Sequence, residues 1–243
     1  MPTTRRINAW SSPRNISTAL MYAFAQRPDC QVVDEPLYAH YLSKAAQRPL
    51  HPGEAQVLAT QNPDGEEVVN TVLRGRYDQP VVFFKQMAHH LIQLDEGFLF
   101  EMDNILLIRD PRAIIASYSK VIPQPTMADV GILKLQELYE KLSAAGKLAA
   151  VIDTQELLRD PAAVLRQLCA RLGLPFEPAM LSWPAGPRPE DGAWAPYWYA
   201  NVHASTGFQP YQERHYELPP PLEELAEQCR PYYEALFHSA IKP

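Results

Sequence analysis

No glycine precedes Gly53, and the 243-residue chain contains only ten. A Walker A loop needs Gly-x-x-x-x-Gly-Lys followed by Ser or Thr, so ordinary ATP or GTP hydrolysis through such a loop is excluded. Cysteine is scarcer still. Cys30, Cys169 and Cys229 are odd in number, far apart and form no Cys-x-x-Cys pair, which indicates neither a zinc site nor a disulfide framework. Long apolar runs are absent, and the polar start MPTTRR has no signal-peptide core. The expectation is a soluble, cytoplasmic protein without a membrane partner. Positive charge is in deficit as well: 22 basic residues against 28 acidic ones leave a net charge of −6, so no electrostatic footprint for a nucleic-acid backbone exists.

What is present fits a globular enzyme-sized domain. Hydrophobic residues make up 47% of the chain and charged ones 21%, enough for a sizeable core in one α/β domain covering residues 1–243. Proline is abundant at 24, about twice the usual ~5%. Eleven of these lie between Pro175 and Pro231, so the segment 175–221 should be irregular in backbone yet packed onto the domain.

The stretch Arg5 to Phe24, RRINAWSSPRNISTALMYAF, organises the rest. Ile7, Ala9 and Trp10 read as a buried strand, Ser11 to Asn15 as a polar turn, and the apolar residues from Ile16 fall at helical spacing. A strand, tight loop and helix in that order aim backbone N–H groups and a helix dipole at one point, which favours an anion there. Arg14 adds a fixed positive charge, and Ser17 and Thr18 add hydroxyl donors.

Three further strands deliver polar residues to their carboxyl ends. Gln31 to Val33 leads to Asp34, Glu35 and the strand-stopping Pro36; these carboxylates face the crevice or cap the helix that follows. If strands one and two are neighbours, Glu35 and the Arg14 loop share one opening. Val81 to Phe84 ends with Lys85, a second anion candidate, followed by His89 and His90, of which at most one should face the crevice. Asn104 to Ile108 leads to Arg109, then Asp110 as N-cap and Pro111 at the first position of a helix that carries Ser117. Residues 48–65 lack periodicity and read as a surface excursion, a candidate lid. Asp129 to Ala145 reads as one amphipathic helix, and Leu148 to Ile152 as another strand before a capped helix that stops at Gly173. From Trp183 to Tyr211 aromatic residues crowd an irregular segment, either plugging the core or walling a pocket. These residues together specify a mostly parallel sheet with helices on both faces.

SSPRNIST resembles the 5′-phosphosulfate loop of the sulfotransferases, whose common form is Pro, Lys or Arg, Ser, Gly, Thr, Thr. Pro13, Arg14, Ser17 and Thr18 match, whereas Asn15 and Ile16 depart, Ile16 replacing a glycine. Arg109 with Ser117 eight positions later resembles the family's 3′-phosphate motif. DTQELLRDPAAVLRQLCARLGLPF is similar to the family's last strand–helix unit, with Thr154 near the adenosine. The resemblance spans most of Arg5 to Pro175 in family order. Met87 stands where many cytosolic members carry a catalytic histidine, and the late basic loop is missing, leaving Ser205, Thr206 and Gly207 as weaker phosphate contacts.

The resemblance implies a three-layer, P-loop NTPase-like sulfotransferase architecture and transfer of a sulfuryl group from 3′-phosphoadenosine 5′-phosphosulfate to a hydroxyl or amine of a small-molecule acceptor. In that scheme Arg14 stabilises the leaving phosphate, and Asn15, Ile16, Ser17 and Thr18 hold the 5′ end. Arg109 and Ser117 hold the 3′ end, and Lys85 steadies the moving group. Glu35 is the base with His89 as fallback, and no metal is required. A nucleotide-binding or interaction module that lost transfer is the alternative, a small-molecule kinase a third. A homodimer is left open.

Overall fold

A computed structural model describes residues 4–46 and 48–243. Five strands form one parallel sheet: β1 (Arg5–Ser11), β2 (Cys30–Asp34), β3 (Val81–Met87), β4 (Asp103–Ile108) and β5 (Leu148–Asp153), in the order β2-β3-β1-β4-β5. β3 is buried along its whole length, as a continuous apolar run in a parallel sheet covered on both faces should be. β1 and β2 are therefore not neighbours; β3 lies between them. The order of parallel strands depends on crossovers that local sequence does not encode, so succession in the chain leaves open whether the first two strands are neighbours.

Alternation along the strands divides the core into two layers. Trp10, Val82, Phe84, Leu106 and Ile108 pack on one face, with Ile114 and Ile115 of α1 (Pro111–Tyr118), Leu135, Leu138 and Leu142 of α2 (Ile132–Ala144), and Leu225, Cys229 and Leu236 of α3 (Pro220–His238). Ile7, Ala9, Phe83, Ile105 and Leu107 face the other way. They meet the helix Ser17–Ala25, which carries Leu20 to Phe24, and the helix Pro161–Arg171, together with Trp183. Burying each of these large side chains stabilises the fold by about 1.5–3 kcal/mol. The three-layer α/β reading holds.

Helix starts follow the expected chemistry. Asp110 accepts from Arg112 N at 2.7 Å with Pro111 in the first turn, and Asp160 accepts from Ala163 N at 2.9 Å ahead of Pro161. One expected helix is divided. Gly131 takes φ +74° and separates Met127–Val130 from Ile132–Ala144, a conformation that ends a helix and that glycine reaches without steric cost.

A third apolar cluster lies apart from both layers. Tyr38, Tyr41 and Leu42 from the helix Tyr38–Lys44, Val57 from Glu54–Thr60, and Trp194, Ala195 and Tyr199 from the proline-rich segment pack together. The surface excursion thus contains a helix of its own, and part of the aromatic segment meets it. No helix among the described residues is long and apolar enough to cross a membrane.

Candidate active site

A cavity of about 730 Å³ opens where β1 to β4 end. The loop Pro13–Thr18 follows β1, Glu35 follows β2, Lys85 and Met87 close β3, and Arg109 follows β4, and all border it. This is the crevice beyond the carboxyl ends where open parallel sheets bind ligands. Glu35 and the Arg14 loop share it although a strand stands between β1 and β2.

The loop is held by its own side chains. Asn15 Nδ2 donates to Leu107 O at 2.9 Å, Ile16 N donates to Asn15 Oδ1 at 2.9 Å, and Thr154 Oγ1 donates to the same oxygen and also lies 3.1 Å from Ile108 O. Thr154 consequently does not border the cavity; it braces Asn15. Ile16 has φ −91° and ψ 27°, so the glycine it replaces is not needed for backbone reasons. The left-handed residue is Arg14, at φ +56°.

Arg14 and Arg109 meet. Arg109 Nη1 donates to Arg14 O at 2.5 Å, and Arg14 Nε donates to Ser117 Oγ at 3.1 Å, with its guanidinium 5.6 Å from the centre of the Trp198 ring. Burial, and then the charge of Arg109, lowers the pKa of Arg14. Among the described residues neither arginine forms an ion pair with a carboxylate, and Lys120 and Arg214 on the exposed rim form none either. Two partly buried guanidinium groups without counter-ions, with Lys120 and Arg214 on the rim, suit a polyanion, since a partly buried charge is costly until it is paired. Arg214 and His215 also border the cavity, both exposed. They lie in the irregular stretch 209–219, downstream of most of the aromatic segment.

The other end is built the opposite way. Lys85, 1% exposed, donates to Asp34 Oδ1 at 2.9 Å, to Glu35 Oε1 and to Tyr199 OH at 2.7 Å. Its three N–H groups are therefore all used, which differs from the expected free anion contact. Tyr199 OH reaches Asp34 Oδ2 at 2.8 Å and accepts from Trp194 Nε1 at 2.9 Å, while Gly192 N donates to Asp34 Oδ2 at 3.1 Å. Neither acidic residue caps a helix; the helix Tyr38–Lys44 starts after Leu37 without a side-chain cap.

Glu35 sits at φ +39° with its N–H donating to Lys85 O at 2.9 Å. One carboxylate oxygen takes the lysine, and no side-chain hydrogen bond to the other occurs among the described residues. Burial pushes its pKa up to about 7, against the pull of Lys85. For Lys85 burial acts downward, but Asp34 and Glu35 prevail and the net direction is up.

His89 and His90 occupy a 3₁₀ turn, and both border the cavity, contrary to the one-face expectation for a helix. Burial pushes His89 down to about 3, a weak base. Ser205 and Gly207 reach the cavity, but Ser205 Oγ donates to Val202 O at 2.7 Å and accepts from Trp183 Nε1 at 3.2 Å. Thr206 is exposed and does not line it. Tyr199, Trp194, Lys120, Arg214 and His215 are the site residues that sequence reasoning missed. The aromatic crowding from Trp183 onward was the one signal for the first two, and it serves both readings: Trp183 plugs the core while Tyr199 walls the pocket.

The sulfotransferase domain model matches residues 5–240. The chain is 42% identical over 232 residues to branched-chain-amino-acid aminotransferase-like protein 2 of Arabidopsis thaliana, covering 95% of this chain and 41% of that protein. A second such protein of the same plant is 41% identical over 231 residues, with the same coverage of each chain. The chain thus spans well under half the length of these relatives, whose names describe the whole proteins. Among solved structures, a sulfotransferase from Alicyclobacillus acidocaldarius superposes with a TM-score of 0.53 at 17% identity, covering 98% of each chain. The sulfotransferase domain of the Synechococcus PCC 7002 olefin synthase gives 0.52 at 17%, covering 94% of this chain and 95% of that one. These two likenesses concern the fold, and the family match joins it to the motifs: this chain belongs to the sulfotransferase family.

Proposed function

We infer that the protein transfers a sulfuryl group from 3′-phosphoadenosine 5′-phosphosulfate to a hydroxyl of a small acceptor. The observation that carries this reading is the guanidinium pair, Arg14 and Arg109, joined through one carbonyl and left without a carboxylate in a cavity that also contains a half-free, basic Glu35. A planar guanidinium suits bidentate phosphate contacts, which the Ser117 hydroxyl completes.

In this scheme Arg109, Ser117 and the rim residues Lys120 and Arg214 bind the 3′-phosphate, and the loop amides with Ser17 and Thr18 hold the 5′ end. Arg14 stabilises the phosphate as it leaves, a contribution of position and charge with no covalent help. Glu35 takes the acceptor's proton as the acceptor oxygen bonds to sulfur. The bond from sulfur to the 5′-phosphate oxygen breaks, and its electron pair stays on that oxygen. Asp34 and Tyr199 hold Lys85 so that it shares Glu35 rather than fully neutralising it, which keeps a raised pKa suited to a base near neutrality. Left-handed backbone at Arg14 and Glu35 costs on the order of 1–3 kcal/mol each, and both residues stand at this cavity.

Incubation with donor labelled in its sulfuryl group, in the presence of an alcohol, tests the reading. Label moving to the alcohol, accompanied by adenosine 3′,5′-bisphosphate, is expected. Binding of the bisphosphate without any transfer would favour a nucleotide-binding module, and binding of neither would overturn the assignment.

A further inference from the structure

Beyond Glu35 the cavity runs into a wall of stacked rings that the transfer step does not use. His90, 1% exposed, lies between Tyr38 and Tyr41, with centroids 4.8 Å away on both sides and planes inclined by 17° and 23°. His89 meets His90 at 4.6 Å and Tyr41 at 4.9 Å. His51 Nδ1 lies 2.7 Å from Tyr38 OH, and Trp194 stands edge-on to Tyr38 at 5.2 Å. Tyr38, His51, His89, His90 and Trp194 all border the cavity.

Two features of this wall point to a ligand. First, no hydrogen bond satisfies the side chain of His89 or His90 among the described residues. A buried polar group without a partner costs about 1–3 kcal/mol; Nδ1 of each ring is sealed in the protein, and a bound polar group can meet only the rings' other nitrogen, Nε2, for which no partner occurs among the described residues either. Second, the wall is free of net unpaired charge. Lys85 is saturated by two carboxylates and a phenol, while Arg14 turns toward Ser117 and Trp198 at the donor end. Burial keeps His51, His89 and His90 neutral, pushing the first two down to about 4 and about 3.

We propose that this histidine and tyrosine wall is the acceptor subsite and that it selects an uncharged alcohol carrying a second polar group, which hydrogen-bonds His89 or His90. The proposal rests on the sulfotransferase reading and adds the chemical class of the acceptor. An acidic acceptor meets no free cation here and lies against Glu35, so repulsion and desolvation both oppose it. An ammonium acceptor fares poorly for another reason: against neutral imidazoles and phenols its charge loses water without gaining a counter-ion, and as the attacking group it cannot reach sulfur until it has lost a proton. An uncharged alcohol avoids both costs. Its hydroxyl hands its proton to Glu35, its flat or apolar body rests on Tyr38 and Trp194, and its distal polar group meets the unpartnered imidazole edge.

Three probes of matched shape test this: 4-(2-hydroxyethyl)phenol, 4-hydroxyphenylacetate and tyramine, titrated calorimetrically into protein saturated with adenosine 3′,5′-bisphosphate. The expected result is that the uncharged probe binds at least about tenfold tighter than either charged one. His90→Phe should weaken it by about tenfold while leaving the affinity for the bisphosphate unchanged. Since stacked His90 also packs, His90→Asn serves as the second variant: it keeps a polar edge and should recover part of the loss. A preference for the carboxylate or the amine, no measurable binding of the uncharged probe, or an unchanged affinity in a folded His90→Phe protein would overturn the proposal. Failure of the wild-type protein to bind the bisphosphate would strike the donor assignment instead.

Discussion

The two ends of the cavity handle charge by opposite rules. At one end Arg14, Arg109, Lys120 and Arg214 carry positive charge with no carboxylate partner among the described residues. At the other, Lys85, Asp34 and Glu35 are locked together with Tyr199 and Trp194, and all three lysine donors are used. Unpaired charge in a cleft is a demand for a ligand, whereas paired charge in a core is a device for setting geometry and proton affinity. An overall charge of −6 hides this division completely.

Substitutions that remove one charge should therefore have different consequences at the two ends. The largest effect on stability is expected from Lys85→Met, which leaves two buried carboxylates uncompensated; a loss of about 3–5 kcal/mol follows and is read by urea denaturation. Arg14→Met at the other end should change the ligand-free protein's stability little, because it relieves a like-charge contact with Arg109. Equal losses in both variants would erase the contrast.

Glu35→Gln should lower turnover by about 10³-fold while affinity for adenosine 3′,5′-bisphosphate is retained. A variant that loses both would make Glu35 structural. The pH dependence follows the same residue. Its folded-state pKa of about 7 lies above the ordinary carboxylate value, so the stability linked to this proton is present at low pH and is lost as pH rises through 7. The base, conversely, gains competence over that interval, so activity should climb through pH 7.

Tyr199→Phe gives the smallest and most specific effect. Without the phenol, Asp34 draws more of Lys85, Glu35 loses part of its counter-ion, and the rising limb of the pH profile should move to higher pH. An unmoved limb with an intact fold would remove Tyr199 from the account of Glu35's basicity.

The sequence made some of this legible and concealed the rest for identifiable reasons. Arg109, Asp110, Pro111 and Ser117 lie within one strand–helix unit, so local chemistry announces them, and Arg14 with Ser17 and Thr18 likewise. Tyr199 meets Asp34 across 165 positions of sequence, and no local pattern marks such a pairing. Arg214 and His215 come from a stretch without periodicity. Lys85 was correctly placed at a strand end, but its saturation depends on where Tyr199 folds back. The first two strands are not neighbours, yet the opening is shared because Lys85 on the intervening β3 joins the two sides. Ile16 departs from the family's glycine, yet its backbone is not left-handed; in this loop that conformation falls to Arg14.

Calorimetry comparing adenosine 3′,5′-bisphosphate with AMP, in wild-type protein and in Arg109→Ala, tests the central claim most directly. The account predicts that wild-type protein binds the bisphosphate at least about tenfold tighter than AMP and that Arg109→Ala abolishes this preference. Equal affinity for the two nucleotides, or a preference that survives loss of Arg109, would contradict it.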